Sequence, residues 1–420
     1  MKPRITHCLL LPALCLLLLA GLTPAGSQPA HAQTDPAPQT HLVQPGDTWP
    51  ALAYRYGVAV DDLQAANPHP NPLRQPTIGD TIPLPAGSSP EPRLGQLQRV
   101  AAGGLLRLAI LQGQNPWQLA AELGLASPYQ PLFGQPRFLP GGQTPPQEFP
   151  AGFHSLELSA IPAQPGRAIA YRAQATAGLT TTAQLNALPL LTFTNGQQQV
   201  GLGGTGAFYP AGAPELLIVP AGGPAWSQPW RFSSGDWDYD RVTLTGAAAA
   251  IDQEAIAAER ARLFELWSQV SPAPQWQGPF QLPITQYLSV SSNYGARRSY
   301  NDGPFSTYHE GVDFSAYGGT PVSAPAGGTV VLAEQLYVRG GAVIIDHGLG
   351  IYSGFYHLSA VLAQPGQQVQ AGDIVGEVGT TGLSSGNHLH WDLLVNGVWV
   401  DAAAWLAQDL PDWLLAGGGW

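Results

Sequence analysis

Residues 386–394 read GNHLHWDLL, and this stretch decides how the C-terminal part of the chain folds. In a β-strand, side chains two positions apart point to the same face of the sheet. A strand here would project His388 and His390 together into one site, while Leu389 and Trp391 pack on the opposite, buried face. The stretch therefore predicts a strand that presents two imidazoles side by side. Strand geometry alone leaves open which of the two would contact a metal.

Two further stretches of this region carry candidate ligands. HEGVD at residues 309–313 offers an imidazole nitrogen and a carboxylate oxygen four residues apart. The glycines around it, and GGTP at residues 318–321, indicate a loop that leads into a strand and argue against a helix. His357 ends the run IYSGFY at residues 351–356, which is rich in strand-forming residues. We expect all three stretches to belong to one β-sheet domain.

The histidine and cysteine content indicates what kind of site this could be. Five of the ten histidines lie between His309 and His390, and both cysteines lie within the first 15 residues. Because that segment is predicted to be removed on export, a metal site of the mature chain would be built from His, Asp and Glu. A catalytic zinc typically takes three protein ligands and leaves one position to water, whose pKa it lowers towards about 7. Five candidate side chains exceed three ligands by two, which leaves groups for proton transfer and oxyanion stabilisation.

The overall composition bounds the fold and the partners. The 420 residues have room for several domains of roughly 100–200 residues each. Fifty glycines and 41 prolines indicate turns and short strands, so the expected fold is mainly β and multidomain. The net charge is −11 and no run of Lys or Arg occurs, which argues against a nucleic-acid partner.

The first 32 residues predict export. A basic start is followed by an apolar run from Cys8 to Leu22 and by small residues at Ala30 and Ala32, so we interpret residues 1–32 as a cleaved signal peptide. Retention as a membrane anchor is the alternative, but the run is about 15 residues against the roughly 20 needed to span a bilayer. The prediction is an exported protein, extracellular or cell-wall associated, with no membrane span in the mature chain.

Residues 41–85 follow a strand, turn, helix, helix, strand pattern. VQPGDTW at residues 43–49 opens the block, and IGDTIPLP at residues 78–85 closes it. The block closely resembles the LysM module, a βααβ unit that binds the N-acetylglucosamine backbone of peptidoglycan or chitin. The resemblance suggests these glycan-binding residues: Gly46, Asp47, Thr48, Asn67 and Pro68.

The blocks between this module and the C-terminal region carry no recognisable chemistry. Residues 96–142 resemble a degenerate second copy of the LysM pattern. Residues 149–245 contain short strands between Pro/Gly joints and predict a β-sandwich-like middle domain, whose only histidine, His154, we interpret as a surface residue. Residues 251–269 predict a connecting helix that ends before Pro272.

The C-terminal block, residues 285–406, resembles the lysostaphin/LytM-type peptidoglycan endopeptidases, the duplicated-hybrid-motif metallopeptidases. The resemblance rests on SNYGAR at 292–297, HEGVD at 309–313, YHL at 356–358, and the spacing from Gly379 to HLH at 388–390. It implies an antiparallel β-sheet domain with one Zn²⁺. It also implies His309, Asp313 and His390 as zinc ligands, and His357 and His388 as the catalytic pair.

Other polar positions of this block have weaker interpretations. His347 is expected in a hairpin and not as a ligand. Asp392 could form a hydrogen bond with a metal-binding side chain, or it could be a plain exposed carboxylate. Substrate contacts are suggested for these residues: Tyr294, Arg297 and Tyr308.

Together these features predict an exported zinc metalloendopeptidase that LysM holds on peptidoglycan glycan while the C-terminal domain cuts stem or cross-bridge peptides. Tethering of this kind raises the local substrate concentration without new contacts at the active site. The alternatives are a non-catalytic wall-binding protein and an activator of wall amidases. The bond that would be cut is left open.

Overall fold

A computed structural model describes residues 39–100, 104–123, 125–130, 136–243, 252–407 and 410–416. The predicted signal peptide, residues 1–32, lies outside these ranges. Within them the chain is mainly β and divided among several sheets, which confirms the predicted fold class. No helix in the described ranges is long and apolar enough to cross a bilayer.

The first module has the predicted βααβ order. Its elements are β1 (Thr40–Leu42), α1 (Trp49–Tyr56), α2 (Val60–Ala66) and β2 (Thr81–Pro83). Strands β1 and β2 pair antiparallel, and a small core including Val43, Leu52 and Leu63 lies between the helices and the strands. The side chain of Thr48 accepts a hydrogen bond from the backbone N–H of Ala51 and so caps α1.

The second module repeats this order. Its elements are β3 (Gln96–Arg99), α3 (Gly104–Leu111), α4 (Pro116–Glu122) and β4 (Pro136–Leu139). Strands β3 and β4 pair antiparallel. Asn115 caps α4 by accepting hydrogen bonds from the N–H groups of Trp117 and Gln118. An Asn cap thus takes the place that Thr48 has in the first module.

The middle region is an antiparallel β structure. Its strands are β5 (Glu157–Leu158), β6 (Ala168–Gln174), β7 (Thr181–Leu185), β8 (Leu188–Asn195), β9 (Gln198–Gly204), β10 (Glu215–Pro220) and β11 (Trp226–Pro229). They connect in the order β11-β10-β7-β8-β9-β6-β5. The first residues of β8 pair with β7 and the later ones with β9, so β8 joins two halves of one seven-stranded path. The prediction of a sandwich is therefore refined to a continuous sheet around a core that includes Tyr171 and Trp230.

Two elements connect the middle region to the C-terminal domain. Strand β12 (Tyr239–Val242) runs parallel to β14 (Arg297–Tyr300), which also pairs with β15 (Thr307–Tyr308). The predicted connecting helix is α5 (Gln253–Trp267), with Asp252 as its N-cap. Leu263 and Trp267 of α5 are fully buried in the C-terminal core.

The C-terminal domain contains the strands β13 (Ser289–Ser292), β16 (Gly311–Ser315), β17 (Pro321–Ser323), β18 (Gly328–Leu336), β19 (Gly340–Gly348), β20 (Ile351–Leu358), β21 (Ala360–Val361), β22 (Gln368–Val369), β23 (Ile374–Glu377), β24 (His388–Val395) and β25 (Val398–Val400). Its main sheet has eight strands in the order β13-β16-β24-β20-β19-β18-β22, with β25 pairing β24 off this path. A second, small sheet has the order β17-β23-β21. Two short helices follow, α6 (Ala402–Ala407) and α7 (Leu410–Leu415).

Candidate metal centre and active site

The pairing of β16 with β24 brings the candidate ligands together. Asp313 lies directly opposite His390 in this antiparallel pair, and cross-strand partners share a face of the sheet. His309 lies just before β16, and its buried side chain reaches the same point. Leu389 is fully buried behind the strand, as the alternation in residues 386–394 predicts.

Three donor atoms converge at this point. His390 Nδ1 lies 2.8 Å from Asp313 Oδ1, and His309 Nε2 lies 3.1 Å from Asp313 Oδ1 and 3.1 Å from His390 Nδ1. Around a tetrahedral zinc with bonds near 2.0–2.1 Å, ligand atoms would be about 3.3 Å apart. The three residues are the one group of this kind among the described residues that could hold a metal ion. Two imidazole nitrogens and one carboxylate oxygen fit a zinc ion.

The surroundings fix the protonation of the three donors. His309 Nδ1 lies 3.0 Å from the carbonyl oxygen of Asn293, which can only accept, so Nδ1 carries the proton and Nε2 presents its lone pair. Burial lowers the pKa of His390 to about 3, which keeps its imidazole neutral. Burial would raise the pKa of Asp313, but the close contacts with His309 and His390 hold it well below its usual range. Neutral imidazoles and an ionised carboxylate are the states that bind a metal.

The two predicted catalytic histidines lie next to each other beside this group. The ring centroids of His357 and His388 are 4.7 Å apart, and His388 Nε2 lies 3.9 Å from Asp313 Oδ1. His357 Nδ1 donates to the carbonyl of Thr381 at 2.8 Å, and His388 Nδ1 donates to the carbonyl of Gly386 at 2.9 Å. With Nδ1 bonded in this way, Nε2 of each ring is left to act on other groups. Burial lowers the pKa of His357 to about 4, so this ring is neutral near pH 7.

The backbone at His357 departs from a regular strand. Its φ is 63°, in the left-handed region that residues other than glycine rarely adopt. Regular alternation would send Tyr356 and His357 to opposite faces of β20. Tyr356 pairs with His390 across the strands, yet the ring of His357 also reaches the site. A strained backbone of this kind is often found at functional positions.

Sequence reasoning missed a charged group that lies behind the site. Arg339 is largely shielded from solvent between the rings of Tyr356 and Trp267. Its guanidinium contacts Glu259 at 3.2 Å and Glu310 at 3.8 Å. Glu259 lies three residues after Ile256 and four before Leu263, on the apolar side of α5, and this position could have indicated its burial.

Asp392 and His347 are both buried and internally bonded. Asp392 is 1% exposed and accepts a hydrogen bond from Trp399 Nε1 at 2.9 Å, and burial raises its pKa to about 7. It is not an exposed carboxylate. His347 lies in β19, donates from Nδ1 to the carbonyl of Gly327 and contacts Ser353, away from the metal group, whereas His154 is exposed as predicted.

The three suggested substrate contacts lie at the junction with the middle region. Tyr294 is 5% exposed and donates its hydroxyl to the carbonyl of Trp399. The guanidinium of Arg297 lies 4.1 Å from the ring of Phe208 and donates to the carbonyl of Ala207. Tyr308 also packs edge-on against Phe208. All three side chains thus take part in contacts within the protein, and their role in substrate binding stays a prediction.

The residues suggested for glycan binding are also largely internal. The N–H of Gly46 donates to Gln228 of the middle region, and a Cβ at Gly46 would lie 2.7 Å from the ring of Phe149. Asp47 is fully buried, where it contacts Arg55 at 2.6 Å and His41 at 2.7 Å. Both residues are buried at the contact with the middle region, and their role in glycan binding stays a prediction.

The other three suggested residues differ in their exposure. Thr48 is used as a helix cap, and the side chain of Asn67 donates to the carbonyls of Leu63 and Pro83. Pro68 is exposed. Of the five suggested residues, Pro68 is thus exposed and Asn67 is half-buried, and the role of the set in glycan binding stays a prediction.

Comparison with known proteins places this site in context. Residues 307–402 match the description Peptidase family M23, and residues 41–85 match the LysM domain. An uncharacterized metalloprotease of Haemophilus influenzae is 38% identical over 124 residues, which are 29% of this chain and 26% of the relative. Peptidoglycan DD-endopeptidase ShyA of Vibrio cholerae is 36% identical over 120 residues, 29% of this chain and 28% of the relative. The chain thus spans about a quarter of the length of these relatives.

Among solved structures, a putative peptidase M23 from Pseudomonas aeruginosa is 26% identical, with a TM-score of 0.43. The match covers 58% of this chain and 94% of that one.

Proposed function

We propose that this chain, which carries a LysM domain and an M23 metallopeptidase domain of the lysostaphin/LytM type, is a zinc endopeptidase that hydrolyses peptide bonds in peptidoglycan. The observation that carries the proposal is the convergence of His309, Asp313 and His390 within 2.8–3.1 Å, beside two histidines whose Nδ1 atoms are bonded to backbone carbonyls.

His309, Asp313 and His390 would hold the zinc ion. A bound zinc supplies Lewis acidity, which polarises a carbonyl group and lowers the pKa of water towards about 7. The fit rests on the donor set, because two imidazole nitrogens and a carboxylate oxygen already converge at one position. The hydrogen bond from His309 Nδ1 to the carbonyl of Asn293 holds that ring in the orientation a ligand needs.

His388 and His357 would handle protons and developing charge. The carbonyl of Gly386 holds the His388 ring with its Nε2 towards Asp313, so this nitrogen can take a proton from a water at the metal group. His357 is neutral and lies beside His388, and its ring would help to stabilise the tetrahedral intermediate, a role that the resemblance to the family implies. Neither ring can turn without breaking its bond to a backbone carbonyl.

The substrate we propose is the D,D cross-link between stem peptides. Two considerations support it: the LysM domain, and relatives such as ShyA that are named peptidoglycan DD-endopeptidases. The LysM domain would hold the N-acetylglucosamine glycan and so keep the peptidase domain near its substrate. This substrate requires export to the cell envelope, in agreement with the signal peptide predicted at residues 1–32.

The test compares four purified proteins on purified peptidoglycan. The wild type should release soluble fragments, and mass spectrometry of the products identifies the bond cut. His388→Ala should keep stoichiometric zinc and lose about 10²- to 10⁴-fold in rate, whereas His309→Ala should lose the zinc. His154→Ala, at an exposed histidine of the middle region, is the matched control and should behave as wild type. Wild-type rates in His388→Ala would reject the proposed catalytic role.

A wild type that binds zinc but releases nothing would favour a wall-binding role. If it then raised the rate of a wall amidase added to the same assay, it would be an activator of that enzyme.

A further inference from the structure

The turn between β18 and β19, residues 337–339, is fixed by a carboxylate from the connecting helix. Glu259 of α5 accepts a hydrogen bond from the N–H of Val338 at 2.7 Å. It also accepts one from the guanidinium of Arg339 at 3.2 Å. Glu259 is only 9% exposed, and Leu263 and Trp267 of the same helix are buried beside it. One side chain therefore binds both the backbone and the charged group of the turn.

The same turn holds His357. The carbonyl of Arg339 accepts the backbone N–H of His357 at 2.8 Å. This bond anchors the residue at the point where its backbone has a φ of 63°. Because the left-handed conformation is unfavourable for histidine, it persists only where the surroundings impose it. The turn supplies one of those constraints.

The turn also holds the loop that orients both histidine rings. The carbonyl of Val338 accepts the N–H of Leu383 at 2.8 Å, and Thr381 Oγ1 accepts the N–H of Gly341, just beyond the turn, at 2.8 Å. The carbonyl of Thr381 in turn binds His357 Nδ1. Ser384, the residue after Leu383, lies 3.3 Å from His388 Nδ1. A shift of the turn would therefore move the backbone groups that set both rings.

Arg339 makes the turn depend on its carboxylate partners. Its guanidinium is packed against the rings of Tyr356 and Trp267, where an unpaired charge would be costly. Two carboxylates form ion pairs with it: Glu259 is the nearer, and Glu310 is shared with Arg260. The buried Asp392 also interacts with this charge. Without Glu259 the guanidinium would lose its nearest carboxylate and the N–H of Val338 its acceptor, so the turn would be held less firmly.

We propose that Glu259 is a positioning residue for the active site, acting through the turn at residues 337–339 to set the rings of His357 and His388. Glu259 lies outside residues 307–402, the part of the chain that matches the peptidase family. In this proposal the connecting helix α5 therefore contributes to the active site although it lies outside the matched part. The activity part of this inference rests on the proposed function; the ring-orientation part does not.

The test uses the zinc-loaded full chain with ¹⁵N-labelled histidine. The variants are Glu259→Ala and Glu259→Gln, and Gln keeps one acceptor for the N–H of Val338. The control is Arg262→Gln, which removes an exposed ion pair with Glu334 between the same helix and β18 without touching the turn. Nuclear magnetic resonance follows water exchange of the His357 Nδ1 proton. The Nδ1 proton of His347, bonded to Gly327 in the same sheet, is the internal reference.

We expect the His357 exchange rate to rise at least about tenfold in Glu259→Ala, because local opening becomes easier, with no change at His347. Fragment release from purified peptidoglycan should fall by about 10- to 100-fold, the range for lost supporting contacts. Glu259→Gln should lie between wild type and Ala, Arg262→Gln should match wild type, and zinc content should be equal in all.

Unchanged exchange at His357 in Glu259→Ala would overturn the inference. Equal acceleration at His357 and His347 would also overturn it, since that pattern reports general destabilisation. If Glu259→Ala does not fold, the same readouts on Glu259→Gln decide. A wild type without hydrolytic activity would refute the proposed function, while the exchange measurement would still decide the role of Glu259.

Discussion

Replacing Gly311 with alanine tests the metal group through a single methyl group. Gly311 is paired with Asp392 in the β16–β24 ladder, and a Cβ at this position would lie 2.7 Å from His390 Nε2 and 2.5 Å from the carbonyl oxygen of Trp391. Contacts of Cβ atoms are ordinary from 3.4 Å upward, so the His390 ring would have to move by about 0.7 Å, a third of a zinc–nitrogen bond. The ring has little freedom to do so, because His309 and Tyr356 flank it with centroids at 4.9 and 5.7 Å.

The expected result is weaker zinc binding in a folded protein. A displaced ligand should raise the zinc Kd by about 10- to 100-fold, or about 1.4–2.8 kcal/mol, measured by competition with a chromophoric chelator at pH 7. Gly386→Ala is the matched control, because a Cβ there has no atom within 4 Å and the carbonyl that holds His388 is kept. If Gly311→Ala bound zinc as tightly as wild type and Gly386→Ala, the assigned metal position would be refuted.

Two predictions concern stability. Burial lowers the pKa of His347 from 6.5 to about 4, so between these pH values the unfolded chain binds a proton that the folded chain does not, and stability falls as the pH drops. This is measured in urea titrations of wild type and His347→Gln, followed by hydrogen exchange of β19. From pH 7 to pH 4 the free energy of unfolding of the wild type should fall by about 3 kcal/mol more than that of the variant. A difference between the two proteins that does not depend on pH would contradict this. Asp47→Asn leaves Arg55 buried with a weakened partner and should destabilise the first module by about 3 kcal/mol in thermal unfolding. Asp61→Asn, at an exposed position of α2, should change the stability of this module by less than about 0.5 kcal/mol. Equal losses of stability in Asp47→Asn and Asp61→Asn would refute the argument.

The strand pattern of the C-terminal domain could be predicted because its physical cause is local. Alternation in residues 386–394 places His388 and His390 on one face and Leu389 behind them, and the structure has this arrangement in β24. The capped βααβ module was predictable for a similar reason, since Thr48 and the apolar spacing of α1 act within a few residues. Local rules of this kind are carried by the sequence itself.

The placement of His357 could not be predicted from its strand alone. Period-two alternation would send its ring away from Tyr356, and the positive φ that changes this direction depends on the carbonyl of Arg339 and on Thr381. These partners are 18 and 24 residues distant in the chain. Its catalytic role was assigned only through resemblance to a family.

Polar and aromatic side chains at domain junctions were the hardest to interpret from the sequence. A tyrosine or an arginine next to a site looks the same in the sequence whether it faces a substrate or a neighbouring domain, and Arg297 faces Phe208. Asp47 follows the same rule, since it is buried with Arg55 where the module meets the middle region. Glu259 is a further case, because its place on the apolar side of α5 turns it inward to Arg339. Burial at junctions therefore decides which polar side chains remain for chemistry. The metal group differs, because Asp313 and His390 are cross-strand partners within the sheet of a single domain.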